Sequence, residues 1–119
     1  MNSWQAQDKL WNSFGLPAYD ENTVDEDAQM PYITYEAADG SLGGAMLLSA
    51  SLWYHSGSWA DISKKANQMK KGLNTEIKID GGYMMVRTPP ANYATRMSDP
   101  NDKDIRRVRI AVMIEFLTE

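Results

Sequence analysis

The sequence of 119 residues contains no cysteine and a single histidine, His55. The lack of cysteine excludes disulfides, zinc ribbons and thiol catalysis. A serine-hydrolase triad would have to use His55 with its neighbours Ser56 and Ser58, and adjacent residues in a turn seldom have the required geometry. We therefore expect the chain not to be an enzyme and to bind no cofactor or metal.

Long apolar runs and an excess of positive charge are also missing. No stretch is long enough to cross a bilayer, and residues 1–10 lack the basic segment and apolar run of a signal peptide. We expect cytosolic synthesis and no membrane contact. The net charge of −4 argues against a protein whose main task is holding nucleic acid by its phosphates. A hydrophobic content of 43% predicts one folded domain over residues 1–119.

The central stretch, residues 45–73, predicts a strand, a tight turn and an amphipathic helix. Ser58 is expected to cap the helix, with Asp61 completing a capping box. Gly72 falls where a left-handed C-cap would close it. One face of this helix carries apolar residues at three- and four-residue steps, and it must pack against a sheet. These residues are Trp59, Ile62, Ala66, Met69 and Leu73.

A first helix is predicted over residues 3–14, with Ser3 as a possible cap and with Trp4 and Trp11 on one broad apolar face. Its aromatic residues either pack into the core or form an exposed patch that meets a partner. The glycine-rich residues 39–44 are interpreted as a hairpin connection, because their spacing does not match a phosphate-binding loop.

The last strand is the longest and alternates cleanly between apolar and polar residues. At ~3.3 Å per residue it would run ~40 Å, so it lies in the middle of the sheet or extends past it to a neighbouring subunit. The fold class predicted is α+β: an antiparallel β-sheet of about five strands with two helices packed on one face, in the order α-β-β-α-β-β-β. The strands are expected at residues 31–36, 45–54, 75–79, 83–88 and 105–117.

Two irregular segments and an arginine cluster form the candidate interface. The loop at residues 18–30 is strongly acidic, but without the glycine of a calcium loop it is interpreted as a solvated loop. Residues 88–104 are rich in proline, asparagine and aspartate and are interpreted as an interaction loop or, alternatively, a disordered excursion. The arginines are expected to pair with acidic loops of this chain or of a partner, and they make a weak case for a DNA patch. The interface residues are Asp20, Glu21, Asp25, Glu26, Asp27, Tyr93, Arg96, Met97, Arg106, Arg107 and Arg109.

Several segments, taken in order over nearly the whole chain, resemble the small tail-completion proteins of long-tailed bacteriophages, the tail terminators, also called minor capsid or head–tail joining proteins. These segments are Phe14-Gly-Leu-Pro-Ala-Tyr-Asp20, Pro31-Tyr-Ile-Thr-Tyr35, Ser51-Leu-Trp-Tyr-His-Ser-Gly-Ser-Trp59, Asp104-Ile-Arg-Arg-Val-Arg-Ile110 and Glu115-Phe-Leu-Thr118. Each is weakly specific alone, since none is a catalytic signature.

The resemblance implies a structural virion protein that forms a ring, usually a homohexamer, on the head-proximal end of the tail tube. Such a ring stops tube growth and joins the tail to the head or neck. The implied partners are other copies of the chain, the tail-tube protein and a head-completion or neck protein, while genomic DNA passes through without specific binding. The implied location is the tail of the virion, after synthesis in the cytoplasm of the host bacterium.

Two other functions remain open. The chain could be a different neck component, such as a head-completion protein on the portal. It could instead be a small metal-dependent hydrolase that uses the carboxylates of Asp99, Asp102 and Asp104.

Overall fold

A computed structural model describes residues 1–40 and 44–118 as an α+β fold with two helices and a seven-stranded sheet. The helices are α1 (Ser3–Asn12) and α2 (Ala60–Gly72). The strands are β1 (Ala18–Asp20), β2 (Tyr32–Tyr35), β3 (Ala45–His55), β4 (Thr75–Ile79), β5 (Gly82–Arg87), β6 (Ala94–Ser98) and β7 (Ile105–Thr118). The predicted class is confirmed, but the sheet is mixed and has more strands than expected.

The longest strand, β7, lies in the middle of the sheet, which confirms one of its two predicted positions. It pairs antiparallel with β3 from Ile105 opposite His55 to Glu115 opposite Ala45. Its other edge is shared, because β6 pairs with residues 106–110 and β5 with residues 113–118. The sheet order is β1-β2-β3-β7-β5-β4, with β6 beside β7.

The strands β1 and β6 were not predicted. Each lies in a segment that was expected to be a loop, so the loop prediction is wrong for these residues. The strand β1 lies within the predicted acidic loop and pairs parallel with β2, Ala18 opposite Ile33. The strand β6 lies within the predicted interaction loop, and the Tyr93 carbonyl accepts a hydrogen bond from the Ala111 backbone N–H just before it. Both strands are short and poor in strong strand formers, so pairing with the strand that follows each of them, rather than local preference, determines them.

Both helices cover the same face of the sheet, as predicted. The β7 residues on that face alternate strictly with more exposed ones, and they join a single core with Leu10 and Trp11 of α1 and with Ile62 and Met69 of α2. The buried β7 residues are Val108, Ile110, Val112, Ile114 and Phe116. The predicted apolar stripe of α2 is confirmed by the burial of Ile62, Ala66, Met69 and Leu73.

The caps differ from those predicted. Asn2, rather than Ser3, caps α1 in a capping box in which its side chain accepts from the Gln5 N–H and the Gln5 side chain accepts from the Asn2 N–H. The predicted capping box of α2 is wrong. Ser58 Oγ accepts from the Ala60 N–H at 3.0 Å, but the N-cap position is Trp59, whose side chain makes no cap hydrogen bond.

Gly72 ends α2 for a reason other than the predicted left-handed cap. The C-cap is Leu73, with φ −86°. A Cβ atom at Gly72 would lie 2.7 Å from Cε1 of Phe14, so any larger residue there would displace the Phe14 ring.

The first helix is shorter than predicted, and its tryptophans do not share one environment. Trp11 is 1% exposed and packs in the core, whereas Trp4 is 48% exposed. The prediction of a single broad apolar face is therefore wrong for Trp4. Three residues of the glycine-rich connection, 41–43, lie outside the described residues.

Gly82 offers a test of the close approach of β5 to β7. A Cβ atom at Gly82 would lie 1.9 Å from the Leu117 carbonyl oxygen, a contact that only a backbone shift relieves. We expect Gly82→Ala to lower the free energy of unfolding by at least about 2 kcal/mol, measured by urea denaturation. Gly57→Ala is the matched control, since open space surrounds that position, and it should change stability by no more than about 0.5 kcal/mol. Equal stability of the two variants would contradict this packing.

Candidate interaction surface

The face of the sheet opposite the helices is built by the second set of alternating side chains. On β7 these are Arg107, Arg109, Ala111, Met113 and Glu115. The β3 residues opposite them are Trp53, Ser51, Ser49, Leu47 and Ala45. This surface, called here the helix-free face, is where two of the three predicted arginines of β7 lie.

An aromatic row crosses one end of the helix-free face. The rings of Tyr19 and Tyr32 meet edge to face at 5.8 Å, and those of Tyr32 and Trp53 stack at 6.4 Å. The guanidinium of Arg107 lies 4.8 Å from the Trp53 ring centroid, and its Nε donates to Ser51 Oγ at 3.0 Å. Cation–π contact and a hydrogen bond thus hold Arg107 within the sheet.

A groove of about 390 Å³ lies beyond this row on the same face. Leu47 on its wall is 68% exposed, and it lies on the part of β3 that extends past the pairing with β2. Arg109 is exposed, and within residues 1–40 and 44–118 its guanidinium has neither a hydrogen-bond nor an ion-pair partner. The groove is lined by Leu47, Pro89, Ala91, Asn92, Thr95, Arg109 and Ala111.

A second arginine that was not predicted extends the same surface. Arg87 at the end of β5 lies opposite Met113, and its Nη2 contacts only Met85 Sδ, at 3.6 Å. Met113 is 38% exposed and lies opposite Leu47 on β3. Exposed apolar side chains are therefore flanked by two arginines without carboxylate partners in the described chain.

The predicted arginines Arg96 and Arg106 lie on the helix side and are engaged within the fold. Their guanidinium groups lie 5.2 and 5.0 Å from the centroid of Trp59. Arg106 also donates from Nε to the Ser56 carbonyl and from Nη2 to the Gly57 carbonyl, at 3.1 and 3.0 Å. These two hydrogen bonds fix the turn that leads into α2.

Tyr93, another predicted interface residue, ties the segment before β6 to α2. Its hydroxyl donates to the Ala66 carbonyl at 2.9 Å, and Lys70 Nζ lies 5.5 Å from its ring centroid. Burial raises the pKa of the Tyr93 hydroxyl above its usual range. Met97 is half-buried on β6. Residues 91–98 are thus part of the folded domain.

The predicted acidic residues lie at the β1 end of the sheet. Asp20 ends β1, and its Oδ1 accepts from the Asn22 N–H, whereas Asp25 Oδ1 accepts from the Asp27 N–H. Glu21, Asp25, Glu26 and Asp27 are exposed. None of these five carboxylates forms an ion pair with a lysine or arginine of the described chain. Pairing of the acidic loop with the arginines of the same chain, one of the two predicted arrangements, is therefore not observed.

The structure brings His55, Asp102 and Asp104 together, with ligand atoms within 4.8 Å of one another. His55 Nε2 lies 3.1 Å from Asp102 Oδ2. The Asp104 backbone N–H, and secondarily His55, lower the pKa of the Asp102 carboxyl. Asp99 does not join them; its Oδ1 accepts from the N–H groups of Asn101 and Asp102. The three carboxylates proposed for a hydrolase therefore do not converge, and the observed cluster joins the end of β3 to the β6–β7 turn.

Sequence reasoning missed the aromatic row, Leu47, Arg87 and the approach of His55 to Asp102. The strict alternation of β7 indicated which of its own side chains share a face. The partners on β3 and β5 depend on the register between strands distant in sequence, for which the sequence carries no local signal.

No model of a protein family matches the sequence, and no curated protein is significantly similar to it. Among the described residues, neither helix is long and apolar enough to span a membrane.

The free energy of unfolding distinguishes an arginine that makes contacts within the fold, such as Arg106, from one for which none is observed, such as Arg109. Arg106→Ala removes two charge-assisted hydrogen bonds and a cation–π contact, so we expect it to lower the free energy of unfolding by about 1–3 kcal/mol. Arg109→Ala, which removes no observed contact, should change it by no more than about 0.5 kcal/mol. Urea denaturation of both variants measures this, and a larger loss for Arg109→Ala would show that Arg109 has an intrachain role.

Proposed function

We propose that this chain is a structural virion protein, the tail terminator of a long-tailed bacteriophage, and that it performs no catalytic step. The observation that carries the proposal is the helix-free face. Its exposed Leu47 and Met113 and its unpaired Arg87 and Arg109 form a surface suited to docking another protein.

The proposed assembly is a ring of identical subunits, a hexamer as in the family that the chain resembles, at the head-proximal end of the tail tube. A ring requires different patches on the two sides of each subunit. The acidic residues at the β1 end and the arginines of the helix-free face are such a pair, and they support this assembly because neither set forms an ion pair within residues 1–40 and 44–118.

Three partners follow from this function. One face of the ring would bind the tail-tube protein and stop growth of the tube, and the other would join a head-completion or neck protein. Genomic DNA would pass through the ring without specific binding, for which the net charge of −4 is suitable. Basic residues lining the lumen of an assembled ring would contradict this last point.

A neck or head-completion protein on the portal side is the alternative, since it needs docking surfaces of the same kind. The hydrolase alternative is supported only by the cluster of His55, which is exposed, with Asp102 and Asp104, which are partly buried. It predicts divalent-metal-dependent activity that is lost when these residues are replaced.

Electron microscopy of the chain mixed with its cognate tail-tube protein tests the proposed function. We expect tubes capped at one end by a distinct ring, because a terminator ring must bind the last ring of the tube. Arg96→Ala serves as a control variant. It removes contacts on the helix side and leaves the helix-free face unchanged, so it should still cap the tubes if it folds. Tubes of unlimited length without end density would contradict the terminator function and favour the portal-side alternative.

A further inference from the structure

The groove on the helix-free face has the chemistry to bind a carboxylate beside an apolar side chain. Arg109 contributes the only charged side chain to its lining, while Leu47, Pro89 and Ala111 provide apolar walls. An exposed guanidinium without a carboxylate is free to form a bidentate pair with an incoming one. Asn92 on the rim has φ +57°, so the backbone turns sharply where it borders the groove.

The described chain contains one segment with the complementary chemistry. Residues 21–28 connect β1 to β2 and combine four exposed carboxylates with Val24 and Ala28, which are only partly buried. The side chains of Glu21, Glu26 and Asp27 make no hydrogen bond or ion pair in the described structure, and that of Asp25 only accepts from the Asp27 N–H. These carboxylates are therefore free for another molecule.

The two sites cannot satisfy each other within one subunit as it is folded. The acidic segment lies beyond β1, at one end of the sheet order, whereas the groove is lined by residues of β3, β7 and β6 and of the segment before β6. Three strand spacings of about 4.8 Å separate β1 from β7. A second copy of the chain can bring its acidic segment to the groove without any change of fold.

We infer that the acidic segment, residues 21–28, of a second copy docks in the groove, with its carboxylates facing Arg109 and Val24 against Leu47 and Ala111. The inference rests on the proposed function in that it assigns the subunit contact of the ring. Charge attraction guides the approach, and burial of the exposed leucine contributes apolar contact.

Because the chain contains no cysteine, introduced cysteines report this contact without background. The test variant carries Glu26→Cys in the acidic segment and Thr95→Cys on the groove lining. The matched control carries Glu26→Cys with Lys64→Cys, an exposed position on α2 far from the groove lining. Both are oxidised alone and on tail tubes, and the products are separated by denaturing electrophoresis under non-reducing conditions.

We expect a ladder of covalent oligomers for the test variant and not for the control. Adding Arg109→Glu to the test variant should slow cross-linking about tenfold or more, because it places like charges against each other. A covalent dimer without higher oligomers would support the docking contact but overturn the ring, since two copies would then exchange segments reciprocally.

The absence of a ladder of covalent oligomers tests the docking contact separately from the proposed function. Capped tubes without a ladder would overturn the docking contact, leave the terminator function standing and indicate the tube protein as the occupant of the groove. A ladder of equal intensity in the control would also overturn it, because the cross-links would then reflect random collision.

Discussion

The antiparallel pairing of β7 with β3 determines which side chains are buried and which remain free to bind. Successive residues of a strand point to opposite faces, so this register places Ile110 in the core and Arg109 on the helix-free face. A slip of one residue would exchange the two sets and bury arginines beneath the helices. Such a slip would also expose the apolar core residues of β7 to water, and this large free-energy cost fixes the register. The residues that form the helix-free face are fixed with it.

The same strand explains why three neighbouring arginines have different roles. Arg106 faces the helices and holds the turn before α2, and Arg107 faces the other side and is held over Trp53. Arg109 shares that side without a hydrogen-bond or ion-pair partner among the residues that the structure describes. Position along an alternating strand, rather than residue type, thus separates structural arginines from one available for a partner. The acidic segment at the β1 end likewise forms no ion pair within the part of the chain that the structure describes.

Much of the fold follows from local patterns in the sequence. The alternation of β7 and the stripe of α2 are local signals, and each predicted its element well. The strands β1 and β6 escaped prediction because tertiary pairing with β2 and β7, rather than local preference, determines them. For the same reason the candidate residues Tyr93, Arg96 and Arg106 could not be recognised as internal contacts, and Leu47 could not be recognised as exposed.

The most direct test of head-to-tail assembly is a pair of charge-reversed chains, one carrying Arg109→Glu and the other carrying Asp25→Lys, Glu26→Lys and Asp27→Lys. Assembly is measured by sedimentation in solution and by electron microscopy of tail tubes. The account predicts that neither chain assembles alone and that an equimolar mixture restores rings in which the two chains alternate, because each groove then meets a segment of opposite charge. Full assembly of either chain alone, or failure of the mixture when both chains are folded, would contradict it.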